Sequence, residues 1–180
     1  MTRSLLASLT LGAVLAGSFS VAAADTIDGT SGPDDLVGTP RHDTISGKGG
    51  GDRIDGRGGR DQIFGDSGPD SLRGRSGSDE LFGNAGDDEL VGGPDGDYLT
   101  ANVGDDVIRA GRGNDSGVND GPGEDRVWLG PGDDSMSIYD IDGDVDIIRC
   151  GAGEDTIGYW GDPDPADELH DCEAIVDIAH

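Results

Sequence analysis

Aliphatic residues recur along most of the chain at every ninth position. Leu36, Ile45, Ile54, Ile63, Leu72, Leu81, Leu90, Leu99 and Ile108 form this run, and each is flanked by mostly polar residues, as Ile54 is by Arg53 and Asp55. A polar, apolar, polar triplet is the alternation of a short strand with one face turned inward. A helix cannot use the period, because nine residues make two and a half turns and successive aliphatics would fall on opposite faces. Frequent glycine weakens a helix further, by about 1 kcal/mol per residue. The pattern predicts three-residue strands joined by six-residue turns and stacked in parallel into a coil.

Two places before the aliphatic stands an aspartate. Asp25, Asp34, Asp43, Asp52, Asp61, Asp70, Asp79, Asp88, Asp97, Asp106 and Asp115 follow one another in strict register. The spacing then loosens: Asp125 comes after ten residues, Asp134 after nine, Asp146 after twelve, Asp155 after nine and Asp167 after twelve. Small loop insertions account for the longer steps. A representative unit is Gly83-Asn84-Ala85-Gly86-Asp87-Asp88-Glu89-Leu90-Val91, with glycine at the first and fourth positions, aspartate at the sixth and the inward aliphatic at the eighth.

These units resemble the Gly-Gly-x-Gly-x-Asp-x-aliphatic-x repeats of the RTX, or hemolysin-type calcium-binding, family, over most of the chain beyond its first 24 residues. The resemblance implies an all-β fold: a right-handed parallel β-roll, a β-solenoid of nine-residue repeats with two repeats per coil, and several calcium ions in the turns between coils. It designates as metal ligands the carboxylates of Asp34, Asp43, Asp52, Asp61, Asp70, Asp79, Asp88, Asp97, Asp106, Asp115, Asp125, Asp134, Asp146 and Asp155. Backbone carbonyls near Gly50, Gly59, Gly68, Gly77, Gly86, Gly104 and Gly113 are expected to complete the sites. The chemistry is consistent, since calcium takes six to eight hard oxygens in irregular geometry.

With two repeats per coil, every second aspartate stacks on its equivalent. One edge then carries Asp34, Asp52, Asp70, Asp88 and Asp106, and the other Asp43, Asp61, Asp79, Asp97 and Asp115. Such columns repel without a cation, so metal uptake and folding are expected to be one event involving roughly eight to ten ions. Taken singly, an aspartate here would be a turn residue bonded to its own backbone. The second family glycine is mostly replaced, by Thr30, Arg57, Asp66, Arg75 or Asn84, at a position that needs only its carbonyl. Arg41 and Asp95 replace the fourth-position glycine and Gly117 replaces an inward aliphatic, so Asp43, Asp97 and Asp115 are expected to depart from the rest. The run Asp140–Asp146 is not a helix-loop-helix calcium hand, because Val145 and Gly151 stand where glycine and glutamate are required.

Composition narrows the function classes. Of 180 residues 33% are hydrophobic and 4% aromatic, and 38 acidic side chains face 12 basic ones, for a net charge of -26. Too little apolar surface is present for an ordinary globule, and the unaided chain is expected to be disordered. The charge argues against nucleic acid and anionic lipid as partners and for cations. Met1-Thr2-Arg3, the apolar stretch Leu5 to Gly17 and Ala22-Ala23-Ala24 read as a secretory signal peptide over residues 1–24. No other segment approaches the length of about 20 apolar residues that spans a membrane. The protein is therefore expected to be secreted, with Cys150 and Cys172 paired in an oxidising exterior.

The expected domains are the β-roll over 25–158 and a C-terminal cap over 159–180, stapled by that disulfide. His42, His170 and His180 are scattered and form no constellation with a nucleophile, so an enzyme is not expected. Calcium binding with calcium-coupled folding outside the cell is the expected function. The alternative is an adhesin or other surface-recognition solenoid, including an ice binder, with an unidentified extracellular or cell-surface ligand. Ice binding is disfavoured by the mixed outward residues Arg73, Phe82, Val91, Thr100 and Arg109, taken as one column.

Overall fold

The computed structural model describes residues 25–119, 121–138, 144–160 and 165–177. The expected signal peptide and most of the Asp140–Asp146 run lie outside them. In chain order the strands are β1 (Asp25–Asp28), β2 (Asp35–Val37), β3 (Asp43–Ser46), β4 (Arg53–Asp55), β5 (Gln62–Ser67), β6 (Ser71–Arg73), β7 (Glu80–Ala85) and β8 (Glu89–Pro94). They continue with β9 (Tyr98–Val103), β10 (Val107–Arg112), β11 (Ser116–Asn119), β12 (Arg126–Pro131), β13 (Ser135–Ile138), β14 (Ile147–Ala152), β15 (Thr156–Tyr159), β16 (Glu168–His170) and β17 (Ala174–Asp177). Odd strands form a nine-stranded sheet and even strands an eight-stranded one, each in simple sequential order. All pairings are parallel, with Ile54 beside Leu72 and Ile63 beside Leu81. The chain is a parallel β-solenoid of about eight turns with two repeats per turn.

The eighth-position aliphatics run up the interior as two columns. Ile45, Ile54, Ile63, Leu72, Leu81, Leu90, Leu99 and Ile108 are fully buried. Turn geometry sets the limit on what can stack. At the fourth position Gly68 and Gly77 have φ of 109° and 116°, and a side chain on either would run into the carbonyl of Gly50 or Gly59 one coil away. At the second position Lys48, Arg57, Asp66, Arg75, Asn84 and Asn102 adopt φ of 73° to 80° in place of the family glycine. They hold the left-handed turn at roughly 1–2 kcal/mol each, so the backbone conformation survives the substitution.

Two expectations are corrected. Gly117 does not leave a hole: a bulge between Ser116 and Asn119 adds a residue to β11 and carries Val118 into the core, where it is fully buried. The ten-residue step before Asp125 is thus an insertion in a strand and not in a loop, and Gly117, at φ 62°, lies under the ring of Tyr98. The ninth-position side chains do not form one column. Phe82 and Thr100 lie on the nine-stranded sheet, while Arg73, Val91 and Arg109 lie on the eight-stranded one. In the segment expected as a C-terminal cap, β16 lies in register on β14 and β17 on β15, which leaves that expectation standing. Cys150 and Cys172 are bonded and tie β14 to that segment.

Candidate metal centre in the turns

Each sixth-position aspartate sits where a turn enters a strand, and the solenoid buries it. From Asp43 to Asp155 these side chains have 7% or less of their surface exposed. Burial is tolerated because each Oδ1 accepts the main-chain N–H of the equivalent aspartate in the preceding coil. From Asp34 to Asp134 these bonds measure 2.7 to 3.0 Å. They form the two expected columns and extend them to Asp167 on one edge and Glu173 on the other. The carboxylate therefore staples neighbouring coils. The sequence signal for this role was the strict register; what it could not show is that the donor lies 18 residues away and not in the aspartate's own turn.

The second oxygen is different. Oδ2 of Asp52, Asp61, Asp70, Asp79, Asp88, Asp97, Asp106, Asp115, Asp134 and Asp155 is buried without a hydrogen-bond partner. A buried, unsatisfied carboxylate oxygen is costly and asks for an explanation. It points into the space beside the first-position residue of its own unit, where a main-chain carbonyl from the next coil also arrives. A methyl group placed on Gly56 would lie 2.6 Å from Oδ2 of Asp61 and 3.1 Å from the carbonyl oxygen of Gly74. One on Gly92 would lie 2.5 Å from both Oδ2 of Asp97 and the carbonyl oxygen of Ala110. Beside Asp52, Asp61, Asp70, Asp88 and Asp97 the nearby carbonyl is thus that of a first-position residue. Fourth-position carbonyls such as that of Gly50 instead face the glycine of the next coil.

Among the described residues no three His, Cys, Asp or Glu side chains converge as a metal cluster. A cation held here would find few carboxylate oxygens and would have to complete its shell from main-chain carbonyls. Such a donor set is all hard oxygen and fits calcium better than zinc or copper. Burial is the main force pushing the carboxyls up, offset in part by the N–H from the preceding coil and reinforced by neighbouring carboxylates. Asp61 and Asp88 are pushed up to about 7 and Asp97 to about 8. Asp70, Asp79, Asp106 and Asp115 reach about 6.

The first turns are built differently. Oδ2 of Asp34 accepts the N–H of Thr30 at 2.5 Å and its hydroxyl at 2.9 Å. Oδ2 of Asp43 accepts the N–H and hydroxyl of Thr39 at 2.6 and 2.9 Å. Asp43 departs from the others for this reason, through Thr39 and not through Arg41. Asp97 and Asp115 share the geometry of their neighbours: Asp95 takes the glycine-like φ of 80°, and Val118 repairs the core behind Asp115.

The family model of the RTX calcium-binding nonapeptide repeat matches the chain in four copies, at residues 37–72, 64–99, 83–116 and 118–137. No curated protein sequence matches it.

Proposed function

The chain belongs to the RTX calcium-binding nonapeptide-repeat family, and on that premise we propose that it takes up calcium in the turns from Asp52 onward and that this uptake drives its folding. One observation carries the reading: rows of buried Oδ2 atoms without a partner, with a main-chain carbonyl of the next coil close beside those of Asp52, Asp61, Asp70, Asp88 and Asp97. Bound calcium would supply the positive charge that lets stacked carboxylates stay ionised at neutral pH. The chain's own part is to hold Oδ1 on the coil below, aim Oδ2 inward, and keep the turn open through glycine. Asp34 and Asp43 are assigned a structural role, their second oxygens being bonded to Thr30 and Thr39. The role is one of binding and not of catalysis.

Calcium titration of residues 25–180, followed by far-ultraviolet circular dichroism with magnesium as control, tests the reading. A cooperative gain of β signal with calcium alone is expected, because magnesium demands a tight octahedron and gives up its waters reluctantly. An unchanged spectrum between calcium and excess chelator would overturn it. Folding is further proposed to follow export, supported by the Cys150–Cys172 bond, which persists in oxidising compartments. Mass spectrometry of the protein from the medium of expressing cells should find a chain beginning near Asp25. Retention of residues 1–24 inside the cell would rule export out.

A further inference from the structure

The net charge of -26 hides a sorting of cations between the two faces. The odd strands contain no lysine or arginine, whereas the even strands contain six arginines. Along most of the eight-stranded face these are balanced by acids: Arg53 lies between Asp35 and Ser71, and Arg73 approaches Glu89. Three consecutive strands bring no acid of their own, although Arg109 on the first of them still reaches back to Glu89. β10, β12 and β14 contain no carboxylate; the outward residues that flank their buried eighth positions are Val107 and Arg109, Arg126 and Trp128, Ile147 and Arg149, and Arg112 is exposed at the end of β10. Register puts Trp128 between Arg109 and Arg149, and Arg126 between Val107 and Ile147.

Within this window Arg109 is fixed, its guanidinium lying 5.0 Å from the Trp128 ring centre and 2.8 Å from Glu89. Arg126 and Arg149 are exposed and make no ion pair among the described residues. The lane is narrow. Two outward residues on a strand span about 7 Å, and exposed carboxylates stand at both margins, Asp105 and Glu124 on one side and Asp133 and Glu154 on the other. A nucleic-acid duplex or a lipid surface laid on the lane would cover these acids and be repelled. A single thin polymer running along the solenoid axis would lie over the arginines and Trp128 and cover fewer of these acids. Arg109 and Arg149 share a column two strands apart, about 10 Å, with Arg126 in the other column on the strand between them, and such staggered guanidinium groups suit a sugar chain whose anionic groups can accept bidentate hydrogen bonds.

We propose that the face of β10, β12 and β14 binds an anionic glycan, a sulfated or uronate-bearing chain, through Arg126 and Arg149, with Arg109 and Trp128 setting the floor. The inference stands on the fold and not on the calcium reading, and a chain that folds without calcium would retain the lane. The test is isothermal titration at saturating calcium with a dextran sulfate oligomer, with unsulfated dextran as the neutral control. Binding of the sulfated chain alone is expected, weakening as salt rises. The double variant R126Q/R149Q should bind at least about tenfold more weakly, while Arg53→Gln, on the acid-balanced part of the same face, should bind as before. Circular dichroism of each variant monitors folding separately. If the double variant folds poorly, Arg149→Gln alone carries the test, with a smaller loss expected. Undiminished binding by the folded double variant, an equal loss in Arg53→Gln, no sulfate-dependent binding, or equal binding of a single-stranded oligonucleotide of matching charge would each overturn the assignment.

Discussion

The two halves of the solenoid use the same nonapeptide but fill it differently. Up to Gly92 the first position of the unit is glycine, and each repeat buries one aliphatic side chain. From Ala101 to Tyr159 the first position is apolar in every unit but the one that opens with Asp120: Ala101, Ala110, Leu129, Ile138, Cys150 and Tyr159 are all buried beside the eighth-position column. Most units of the second half therefore have two inward side chains, and it ends in the Cys150–Cys172 bond. Full burial contributes about 1.5–3 kcal/mol for a side chain the size of Leu129 or Ile138 and less for Ala101 or Ala110. A repeat solenoid is held by neighbour-to-neighbour terms, so such differences accumulate along the axis. The lesson is that metal dependence need not be uniform: the thin half relies on what satisfies its carboxylates, and the thicker half carries more of its own stability.

The largest expected effect is on calcium removal at neutral pH. Hydrogen exchange by segment should show the strands between Arg53 and Val103 losing protection first, with β12 to β15 retaining more. Uniform exchange along the axis would break the comparison.

Acidification is expected to act in the opposite direction to chelation. The unfolded carboxyl titrates near 3.9, and burial raises Asp61, Asp70, Asp79, Asp88, Asp97, Asp106 and Asp115 to about 6–8 in the folded chain. A raised folded pKa contributes stability that is full below the unfolded value and is lost as pH rises through the folded values. In excess chelator the β signal should therefore be strongest near pH 4 and fall between about pH 6 and 8. A flat profile would mean that the buried carboxylates do not govern metal-free stability.

Core truncations sharpen the contrast. Leu72→Ala and Leu129→Ala should each remove about 2–5 kcal/mol, but the first should also raise the calcium midpoint more, because Leu72 is the sole inward aliphatic of its unit. Replacing both cysteines with serine should lower the stability of the C-terminal half by about 2–4 kcal/mol, read as a shift in its urea midpoint. The smallest effect is expected from Thr39→Val, which removes the hydroxyl on Asp43 and should destabilise the chelated protein by about 1 kcal/mol without altering the number of calcium ions bound. A change in that number would show that the Asp43 turn holds metal after all.

Much of this architecture is legible along the chain. Leu36 to Ile108 at a fixed period of nine, each behind an aspartate, can be satisfied by few structures other than a stacked coil of short parallel strands. The two aspartate columns follow from that period, as does the family. Other features were masked because they depend on one-residue details. At Gly117 the period names the empty position correctly, yet a single added residue rotates Val118 inward. The outward residues Arg73, Phe82, Val91, Thr100 and Arg109 look mixed only until the coil separates alternate repeats onto two faces. Thr30 and Thr39 look like ordinary replacements of glycine until their hydroxyls are seen on Asp34 and Asp43.

Period, charge and glycine placement are local properties, and they determined by themselves that this chain forms a β-solenoid with acidic turns. Only the tertiary structure decided which oxygen of each carboxylate is used up and which is left. Oδ1 meets an N–H 18 or more residues away, on the neighbouring coil, and Oδ2 in a turn such as that of Asp88 lies beside a carbonyl that the next coil brings in. Such contacts are made across the stack, between residues that the chain keeps far apart, and no pattern within one repeat contains them.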